Sequence, residues 1–513
     1  MTQGSLSDRD YRAMVGVLYE LALRSREVVW VDYVLAQDVD ISFISKVKEA
    51  GLVGVQISPT TVRQYHTTAA AHILGRTGQM DKTEVEAYQK LGYSMDETVG
   101  RDGVEKAFEQ YLHGEKGIRD IETNTGGKVV SETYRTEPQP GKNIVLTLDI
   151  RLQEAVEQSL AAHVPTLETA EGAAAAVINV KTGETLALAS YPTFDLSNFS
   201  SQYAENASNP LNPFYNRATQ GTYAPGSTFK MVTAVGALEE GIVTPKTQIL
   251  DTGRYTYYKD YQPMCWVFRQ FGRTHGLQNV TQAITNSCNV YFYDVGRRLT
   301  IEKLGQYARL FGLGTATGIE LPESVGVVAG PEYTESQGQI WYEGNTLPAA
   351  IGQENNRFTP LQLANYVATL VNGGNHWSAH LLKAVKSSDF SAITYEYEPA
   401  LLDNVTIAPE HLSAVKEGML AVTESGSVAS YFKDLDVKVG AKTGSAQVSA
   451  EGNSNAVFVA FAPYDDPEIA IAIVVEKGGS GSELGAVAAD ILTYYFTAER
   501  TLEAVRTENT LLR

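Results

Sequence analysis

The chain has 513 residues, and its 43% hydrophobic and 20% charged residues are typical of a globular protein with two or three domains. Its formal net charge of -19 and isoelectric point near 5.0 argue against a nucleic-acid-binding protein. No apolar run of about 18 residues and no signal-peptide pattern occurs, so no transmembrane helix is predicted, and the two cysteines exclude a disulfide-rich scaffold.

The first part of the chain, residues 1–140, is predicted to be a small N-terminal α+β domain that serves as a scaffold. Hydrophobic spacing and glycine stops predict a short strand over residues 53–57 and helices over residues 11–23, 42–50, 69–75, 82–91 and 101–114. The sequence Pro138-Gln139-Pro140-Gly141 is typical of a domain boundary.

Residues 141–500 are predicted to form the main domain, followed by a tail over 501–513. Strands are expected over residues 143–149, 173–180, 184–190, 437–448, 456–462 and 469–476. Helices are expected over 151–163, 413–424 and 485–496 and from about residue 359, and residues 251–282 are rich in loops. This alternation predicts an α/β (α+β) domain, in which a sheet carries helices on both faces.

One segment of this domain carries the arrangement of a nucleophile and its base. A Pro225-Gly226 break precedes a helix-spaced apolar segment, so Ser227 is predicted to lie in the first turn of a buried helix. Lys230 follows one turn later on the same face. A serine hydroxyl needs a base to attack an acyl group, and a lysine held neutral can be that base. The helix start also leaves the Ser227 N–H unpaired, free to bind an oxyanion.

The order of three motifs is more specific than this spacing. The S-x-x-K spacing alone has little weight, because it recurs without a Pro-Gly break at Ser45, Ser413 and Ser430. Two further motifs follow Ser227 in the chain: Ser287-Cys288-Asn289 and Lys442-Thr443-Gly444-Ser445. The ordered set S-x-x-K, S-x-N, K-T-G characterises class A β-lactamases and penicillin-binding proteins. An earlier K-T-G, at residues 181–183, lies at a hairpin tip and is interpreted as structural.

Nearly the whole chain resembles a class B penicillin-binding protein, a peptidoglycan D,D-transpeptidase. The segments that carry the resemblance, besides the three motifs, are residues 175–187, 216–230, 350–353, 359–362 and 372–374 of the main domain, with residues 100–105 and 112–114 of the N-terminal pedestal, or dimerisation domain. The resemblance implies a penicillin-binding, serine β-lactamase-like transpeptidase fold with an antiparallel sheet. The chain departs from the family pattern at Glu354, where the family usually has glycine.

The resemblance implies a role for each motif residue. Ser227 is the expected nucleophile and Lys230 the base, with its pKa lowered by burial and by the charge of Lys442. Ser287 would relay a proton to the leaving amine, and Asn289 would hydrogen-bond the substrate backbone.

The third motif is expected to bind the end of the substrate. Lys442 would supply positive potential, and the hydroxyls of Thr443 and Ser445 would hold the terminal carboxylate. Gly444 would let the strand approach the substrate closely. The N–H groups of Ser227 and Ser445 would form the oxyanion hole.

The function implied is the cross-linking of stem peptides that end in D-Ala-D-Ala, with acylation of the serine by β-lactam antibiotics and with no cofactor required for the chemistry. Two alternatives remain: a carboxypeptidase or β-lactamase that uses water, and a non-catalytic sensor or scaffold. No E-x-x-L-N segment typical of class A β-lactamases lies between the second and third motifs. By the same resemblance, we expect a membrane glycosyltransferase as partner, no nucleic acid, and a position on the extracytoplasmic face of the bacterial membrane, held by an N-terminal anchor helix outside this sequence.

Three further side chains form a candidate metal site beside the S-x-N motif. Cys265, His275 and Cys288 fall within about 25 residues, and they could hold zinc with Asp260 or Asp294 as the fourth ligand. Two alternatives remain at this point: a disulfide between the cysteines, or two buried free thiols.

Overall fold

The computed structural model describes residues 7–27, 33–36, 39–52, 55, 57, 63–94, 97–125, 129–447 and 453–497. Its helices are α1 (Asp8–Glu27), α2 (Ile41–Ala50), α3 (Ala71–Leu74), α4 (Val85–Lys90), α5 (Gly103–Ala107), α6 (Glu109–Leu112), α7 (Ile150–His163), α8 (Phe199–Ser208), α9 (Lys230–Glu239), α10 (Trp266–Phe271), α11 (Val280–Thr285), α12 (Asn289–Leu299), α13 (Ile301–Leu310), α14 (Pro331–Ser336), α15 (Thr346–Ala349), α16 (Pro360–Val371), α17 (Pro409–Glu424), α18 (Ala429–Phe432) and α19 (Gly485–Phe496). Within the described ranges, none of these helices is long and apolar enough to cross a membrane.

The strands are β1 (Thr77–Gln79), β2 (Thr98–Gly100), β3 (Ile118–Thr123), β4 (Val129–Thr136), β5 (Asn143–Leu146), β6 (Ala173–Asn179), β7 (Thr185–Tyr191), β8 (Ile249–Asp251), β9 (Gly276–Gln278), β10 (Asn375–Trp377), β11 (Leu382–Lys386), β12 (Ile393–Glu396), β13 (Leu401–Asn404), β14 (Gly440–Gln447), β15 (Ser454–Ala462) and β16 (Ile469–Val475). The strands β5, β6, β7, β14, β15 and β16 and the helices α7, α16, α17 and α19 confirm the predicted pattern to within a few residues, whereas β8 to β13 were not predicted from the sequence.

The centre of the larger unit is a five-stranded sheet in the order β14-β15-β16-β6-β7. All four of its strand pairs are antiparallel. Side chains alternate across the sheet, so Ala174 and Ala176 of β6 belong to one apolar core while Ala175 and Val177 belong to the other. Helices α9 and α16 contribute to the first core and α7 and α19 to the second, as expected for a sheet covered on both faces. The strand β14 lies at one edge of this sheet.

Contacts divide the chain into two units. Unit 1 contains 1–64, 77–99 and 115–139, and unit 2 contains 65–76, 100–114 and 140–513. The sequence boundary near residue 140 therefore differs from the division by contacts, because two N-terminal segments belong with the main domain. The physical reason is burial: Ile73 and Phe108 are at most 4% exposed and belong to the apolar core that also contains Phe229 and Met231.

The predictions for the N-terminal part and for the C-terminal tail have different outcomes. The predicted helices over 11–23 and 42–50 are confirmed as α1 and α2, and α2 ends at Gly51 with φ of 55°. The single helix predicted over residues 101–114 is two short helices, α5 and α6, separated at Phe108, which has φ of -112°. Most of the strand predicted over 53–57, and the tail over 501–513, lie outside the described residues.

Candidate active site

The predicted nucleophile lies on a short 3-10 helix that leads directly into α9. This 3-10 turn spans Gly226–Phe229, and Ser227 is half-buried in it. Gly226 has φ of 55°, a conformation that favours glycine, and its N–H donates to the carbonyl of Gly352 at 2.9 Å. The Pro-Gly break therefore turns the chain as the sequence predicts and exposes the serine at the start of a buried helix.

Lys230 lies fully buried at the start of α9 and reaches the S-x-N motif. Its Nζ donates to the Ser287 backbone carbonyl at 2.8 Å and to the Asn289 Oδ1 at 2.7 Å, and it lies 3.1 Å from the Ser287 Oγ. Burial lowers the pKa of Lys230 to about 8, although charge on Cys265 and Cys288 opposes this effect. A sizeable fraction of this lysine is therefore neutral near pH 7.5.

Ser287 connects the two lysines of the site. Its Oγ accepts from the Lys442 Nζ at 3.0 Å and also faces the Lys230 Nζ. The backbone of Ser287 has φ of 52°, in the left-handed region that residues with a side chain rarely adopt. Such unfavourable conformations cluster at functional sites, where the surrounding structure holds them.

Lys442 lies on the edge strand β14 and is only 1% exposed. Its pKa lies well below the usual value, first because of burial and second because of the charge of Lys230. Burial is the largest cause of the lowered pKa of both lysines, and the repulsion between the two ammonium groups is mutual.

The other residues of the K-T-G motif follow Lys442 along β14. Thr443 is half-buried and Ser445 is exposed, and the period of two places both on one face of β14. A Cβ atom on Gly444 would lie 2.7 Å from the Pro225 carbonyl oxygen, too close for any side chain. The strand and the serine turn therefore approach each other as closely as backbones allow. The earlier K-T-G, at residues 181–183, forms the turn between β6 and β7, at the other end of the sheet.

The candidate metal site lies beside this network, and its fourth residue is neither of the two aspartates predicted from the sequence. One ligand atom from each of Asp251, Cys265, His275 and Cys288 lies within 4.8 Å of all the others. Asp251 replaces the fourth ligand expected from the sequence. Sequence reasoning overlooked Asp251 because this residue ends a short strand, β8, and only the pairing of β8 with β9 brings it to His275.

The two carboxylates expected from the sequence lie elsewhere. Asp260 is exposed, and Asp294 accepts from the Tyr255 hydroxyl at 3.2 Å and forms an ion pair with Arg298 at 3.3 Å. The cysteines, Cys265 and Cys288, are free and buried, so the disulfide alternative is not realised in this structure.

Hydrogen bonds orient the cluster. The His275 Nδ1 lies 2.8 Å from the Asp251 Oδ2 and 3.5 Å from the Cys265 Sγ. Burial lowers the pKa of His275, but hydrogen bonds to Cys265 and Asp251 outweigh this and raise it overall. Hydrogen bonding by Cys288 is the main cause that lowers the pKa of Cys265. The Cys265 sulfur also accepts from the Asn289 N–H at 3.3 Å, which joins the cluster directly to the S-x-N motif.

A buried network behind the serine turn was also missed by sequence reasoning. Glu476 follows the apolar strand β16, and its Oε1 accepts from the Tyr223 hydroxyl at 2.8 Å and from the Arg217 Nε at 3.1 Å. Tyr223 is 7% exposed and Arg217 4%. In the sequence, the only sign of this network is a charged residue at the end of an otherwise apolar strand. That sign does not predict which residues Glu476 contacts.

The chain matches two protein families: Penicillin binding protein transpeptidase domain over residues 173–493 and Penicillin-binding Protein dimerisation domain over 22–146. It is 33% identical over 470 residues to a protein named Peptidoglycan D,D-transpeptidase MrdA from Acinetobacter baumannii, covering 87% of this chain and 68% of that protein.

Two solved structures are similar across most of the chain. The first is PBP2 of Pseudomonas aeruginosa in complex with WCK 5153, with a TM-score of 0.73, 32% identity and coverage of 86% of this chain and 91% of that one. The second is described as structural coordination of polymerization and crosslinking by a peptidoglycan synthase complex. It has a TM-score of 0.76, 30% identity and coverage of 93% and 85%.

Proposed function

This chain belongs to the class B penicillin-binding proteins and is a serine-type peptidoglycan D,D-transpeptidase, and on that premise we propose that Ser227 is its nucleophile and Lys230 its general base. The observation that carries the assignment is the shared contact of Lys230 and Lys442 with the Ser287 hydroxyl, next to the serine turn. These three side chains form a continuous path for a proton beside the half-buried serine.

In the acylation half-reaction, neutral Lys230 takes the proton from the Ser227 Oγ as that oxygen bonds to the carbonyl carbon of the penultimate D-Ala. The C–N bond to the terminal D-Ala then breaks. Ser287, in contact with both lysines, delivers a proton to the leaving amine. The peptide remains attached to Ser227 as an ester, and free D-Ala is the first product.

In the second half-reaction, an amine of another stem peptide attacks the ester carbon. A new C–N bond forms, the C–O bond to Ser227 breaks, and the proton lost by the amine returns to the Ser227 oxygen through Lys230. Water in place of the amine gives the carboxypeptidase or β-lactamase outcome. The lifetime of the acyl-enzyme with penicillin distinguishes these outcomes, since a β-lactamase releases the adduct rapidly.

The edge strand β14 supplies the substrate-binding groups in this proposal. Lys442 provides positive potential, and the hydroxyls of Thr443 and Ser445 bind the terminal carboxylate. The N–H groups of Ser227 and Ser445 stabilise the oxyanion. Support comes from the close approach of Gly444 to the serine turn, which places the strand within reach of an acyl group on Ser227.

A zinc site is the second part of the proposal. Asp251, Cys265, His275 and Cys288 would hold the ion, because carboxylate, imidazole and thiolate are zinc ligands and the four donor atoms lie within 4.8 Å of one another. When bound, the ion would stabilise the segments that carry these four residues, and it would take no part in the reaction. The effect of the ion on the proposed active site would pass through Asn289, because its N–H donates a hydrogen bond to the Cys265 sulfur.

Relatives support the partners that we propose, and the proposed location rests on the family resemblance. The neighbour described as a peptidoglycan synthase complex supports a glycan-polymerising partner for this chain, and the neighbour bound to WCK 5153 supports binding of that compound. We propose that the protein works at the extracytoplasmic face of the bacterial membrane, held by an N-terminal anchor.

The test of the catalytic assignment is intact-mass analysis after incubation with benzylpenicillin. One adduct per chain is expected, on the peptide that contains Ser227, and it should persist for many minutes. Ser227→Ala should give no adduct and keep its cooperative unfolding. An adduct of undiminished yield on that variant would contradict the assignment.

A further inference from the structure

One tryptophan outside the three motifs contacts the backbone of the S-x-N segment. The Trp266 indole N–H donates to the Asn286 backbone carbonyl at 3.1 Å, and Asn286 immediately precedes Ser287. Trp266 is half-buried at the start of α10, and Asn286 is the residue that follows α11. A side chain from a separate segment is therefore bonded to the backbone that leads into Ser287.

The conformation of Ser287 explains why this backbone needs support. Ser287 follows the end of α11 with φ of 52°, in a position where helix ends usually carry glycine. Its N–H donates to the Ile284 carbonyl at 3.2 Å, and the Cys288 N–H donates to the Ala283 carbonyl at 2.9 Å. These two bonds fix N–H groups at the end of α11. Among the described residues, the indole supplies the one hydrogen bond to the Asn286 carbonyl.

The Asn286 carbonyl influences the direction of the Ser287 side chain. The carbonyl oxygen of Asn286 and the nitrogen of Ser287 belong to one planar peptide unit. A hydrogen bond that fixes this unit opposes rotation about the N–Cα bond of Ser287. A change to φ of about -60°, which residues with a side chain favour, would turn the hydroxyl away from its present position.

The other end of the S-x-N motif is bonded to the residue next to Trp266. The Cys265 sulfur accepts from the Asn289 N–H at 3.3 Å. The Cys265 N–H donates in turn to the Gly253 carbonyl at 2.9 Å, which anchors this residue at the base of a hairpin-like loop. Two consecutive residues therefore hold the backbone on both sides of Ser287.

The hydroxyl held in this way lies between the two lysines of the site. The Ser287 Oγ is 3.1 Å from the Lys230 Nζ and 3.0 Å from the Lys442 Nζ. A displacement of about 1 Å would break at least one of these contacts, because N–H···O hydrogen bonds extend over only about 2.7–3.2 Å. In the proposed mechanism this hydroxyl protonates the leaving amine, so that step depends on its position.

We propose that Trp266 is a positioning residue for Ser287. Its indole N–H holds the peptide unit between Asn286 and Ser287, and so keeps the hydroxyl in contact with both lysines. This inference rests on the proposed function, because it takes Ser287 as the group that protonates the leaving amine. Loss of the indole N–H should therefore slow the reactions in which the leaving group needs that proton.

Two substrates separate this effect from a general loss of structure. Both are N-acylated peptides whose D-Ala carbonyl is joined either to a second D-Ala through an amide or to thioglycolate through a thioester. The amine must gain a proton as the C–N bond breaks, whereas the thiolate leaves as an anion when the C–S bond breaks. The value of kcat/KM for each substrate is measured from the release of D-Ala or of thiol.

Trp266→Phe removes the N–H and keeps an aromatic ring beside Phe271 and His275, the two rings that Trp266 contacts. This variant should lower kcat/KM about tenfold for the amide and less than about twofold for the thioester. An equal reduction for both substrates, or no reduction for either, overturns the proposal.

A double variant tests whether Trp266 acts through Ser287. Ser287→Ala should itself slow the amide more than the thioester. Adding Trp266→Phe to it should cause no further loss, because the group that Trp266 positions is already absent. A further loss of about tenfold with the amide would show that Trp266 acts elsewhere, and would overturn the proposal.

Trp377→Phe is the matched control. It removes another half-buried indole N–H, from a residue beside Gly183 at the other end of the sheet. Both rates should stay within about twofold of native. A selective loss with the amide in this variant would contradict the proposal. If Trp266→Phe does not fold, 3-benzothienylalanine at position 266 keeps the ring shape and replaces the N–H by sulfur, and the same outcomes apply.

Labelling of the native protein by benzylpenicillin separates this inference from the proposed function. A native protein without an adduct at Ser227 would contradict the proposed function. An adduct in the native protein, together with an unchanged ratio of amide to thioester rates in Trp266→Phe, would overturn only the positioning role.

Discussion

The Tyr223 hydroxyl donates a 2.8 Å hydrogen bond to Glu476, joining the turn before the nucleophile to the end of a central strand. The backbone of Tyr223 is also paired with Phe358 in both directions, at 2.9 Å each. The serine turn is therefore held from two sides before the chain reaches Ser227. This arrangement matters because acyl transfer depends on placing the nucleophile to within a fraction of an ångström.

Tyr223→Phe should therefore slow penicillin acylation several-fold and lower the free energy of unfolding by about 1 kcal/mol, the usual contribution of one hydrogen bond. Stopped-flow acylation and urea unfolding measure the two effects. The control is Tyr215→Phe, which removes a hydroxyl from a ring that is 40% exposed. Equal effects in both variants would show that the Glu476 contact has no special part in holding the turn.

The pH dependence of acylation should follow Lys230. Because its pKa is lowered to about 8 and the neutral form is the base, the rate should rise with pH up to that value and level off above it. Roughly a fivefold increase is expected between pH 7 and pH 8, as the neutral fraction rises from about a tenth to a half. A rate independent of pH over this range would exclude Lys230 as the titrating base.

Lys230→Arg should reduce acylation by a factor on the order of a hundred or more, although the positive charge is kept. An arginine cannot release its proton at these pH values, so it cannot act as a base. Acylation under single-turnover conditions is the appropriate measurement. A rate close to native in this variant would indicate a different base.

Metal content should depend on Asp251 and not on Asp260. The native protein should contain one zinc per chain, with two reactive thiols after chelation and unfolding. Asp251→Asn should lose most of the metal by elemental analysis and lower the melting temperature, while Asp260→Asn, on an exposed site of the same loop region, should keep both. A native protein with no zinc and no free thiols would instead indicate the disulfide.

The N-terminal segment around Ile73 should stabilise the catalytic unit. Ile73 is fully buried in the core shared with α9, so Ile73→Ala should lower the free energy of unfolding by about 2–4 kcal/mol. The control is Leu52→Ala, whose side chain is 54% exposed. Loss of penicillin labelling should coincide with unfolding of the main domain in urea. If the two variants were equally stable, the result would favour the domain boundary near residue 140 that the sequence predicts.

The amino-acid sequence determined the elements and their order. Apolar alternation and glycine stops are local signals, so β6, β7, β15, β16 and the helices α7 and α19 are predicted closely. The three motifs also predict the proposed catalytic residues in order, because acyl transfer by a serine and a lysine needs residues of these types close together. Burial of Lys230, which lowers its pKa, follows from the apolar spacing of its helix.

Tertiary structure alone decided which distant residues meet. Asp251 joins His275 through the pairing of β8 with β9, and Glu476 reaches Tyr223 across more than 250 residues of chain. Such contacts depend on how strands pair and how layers stack, and the spacing of residues within one segment does not predict them. The same reason explains the segment around Ile73, which is N-terminal in sequence and part of the catalytic core in space.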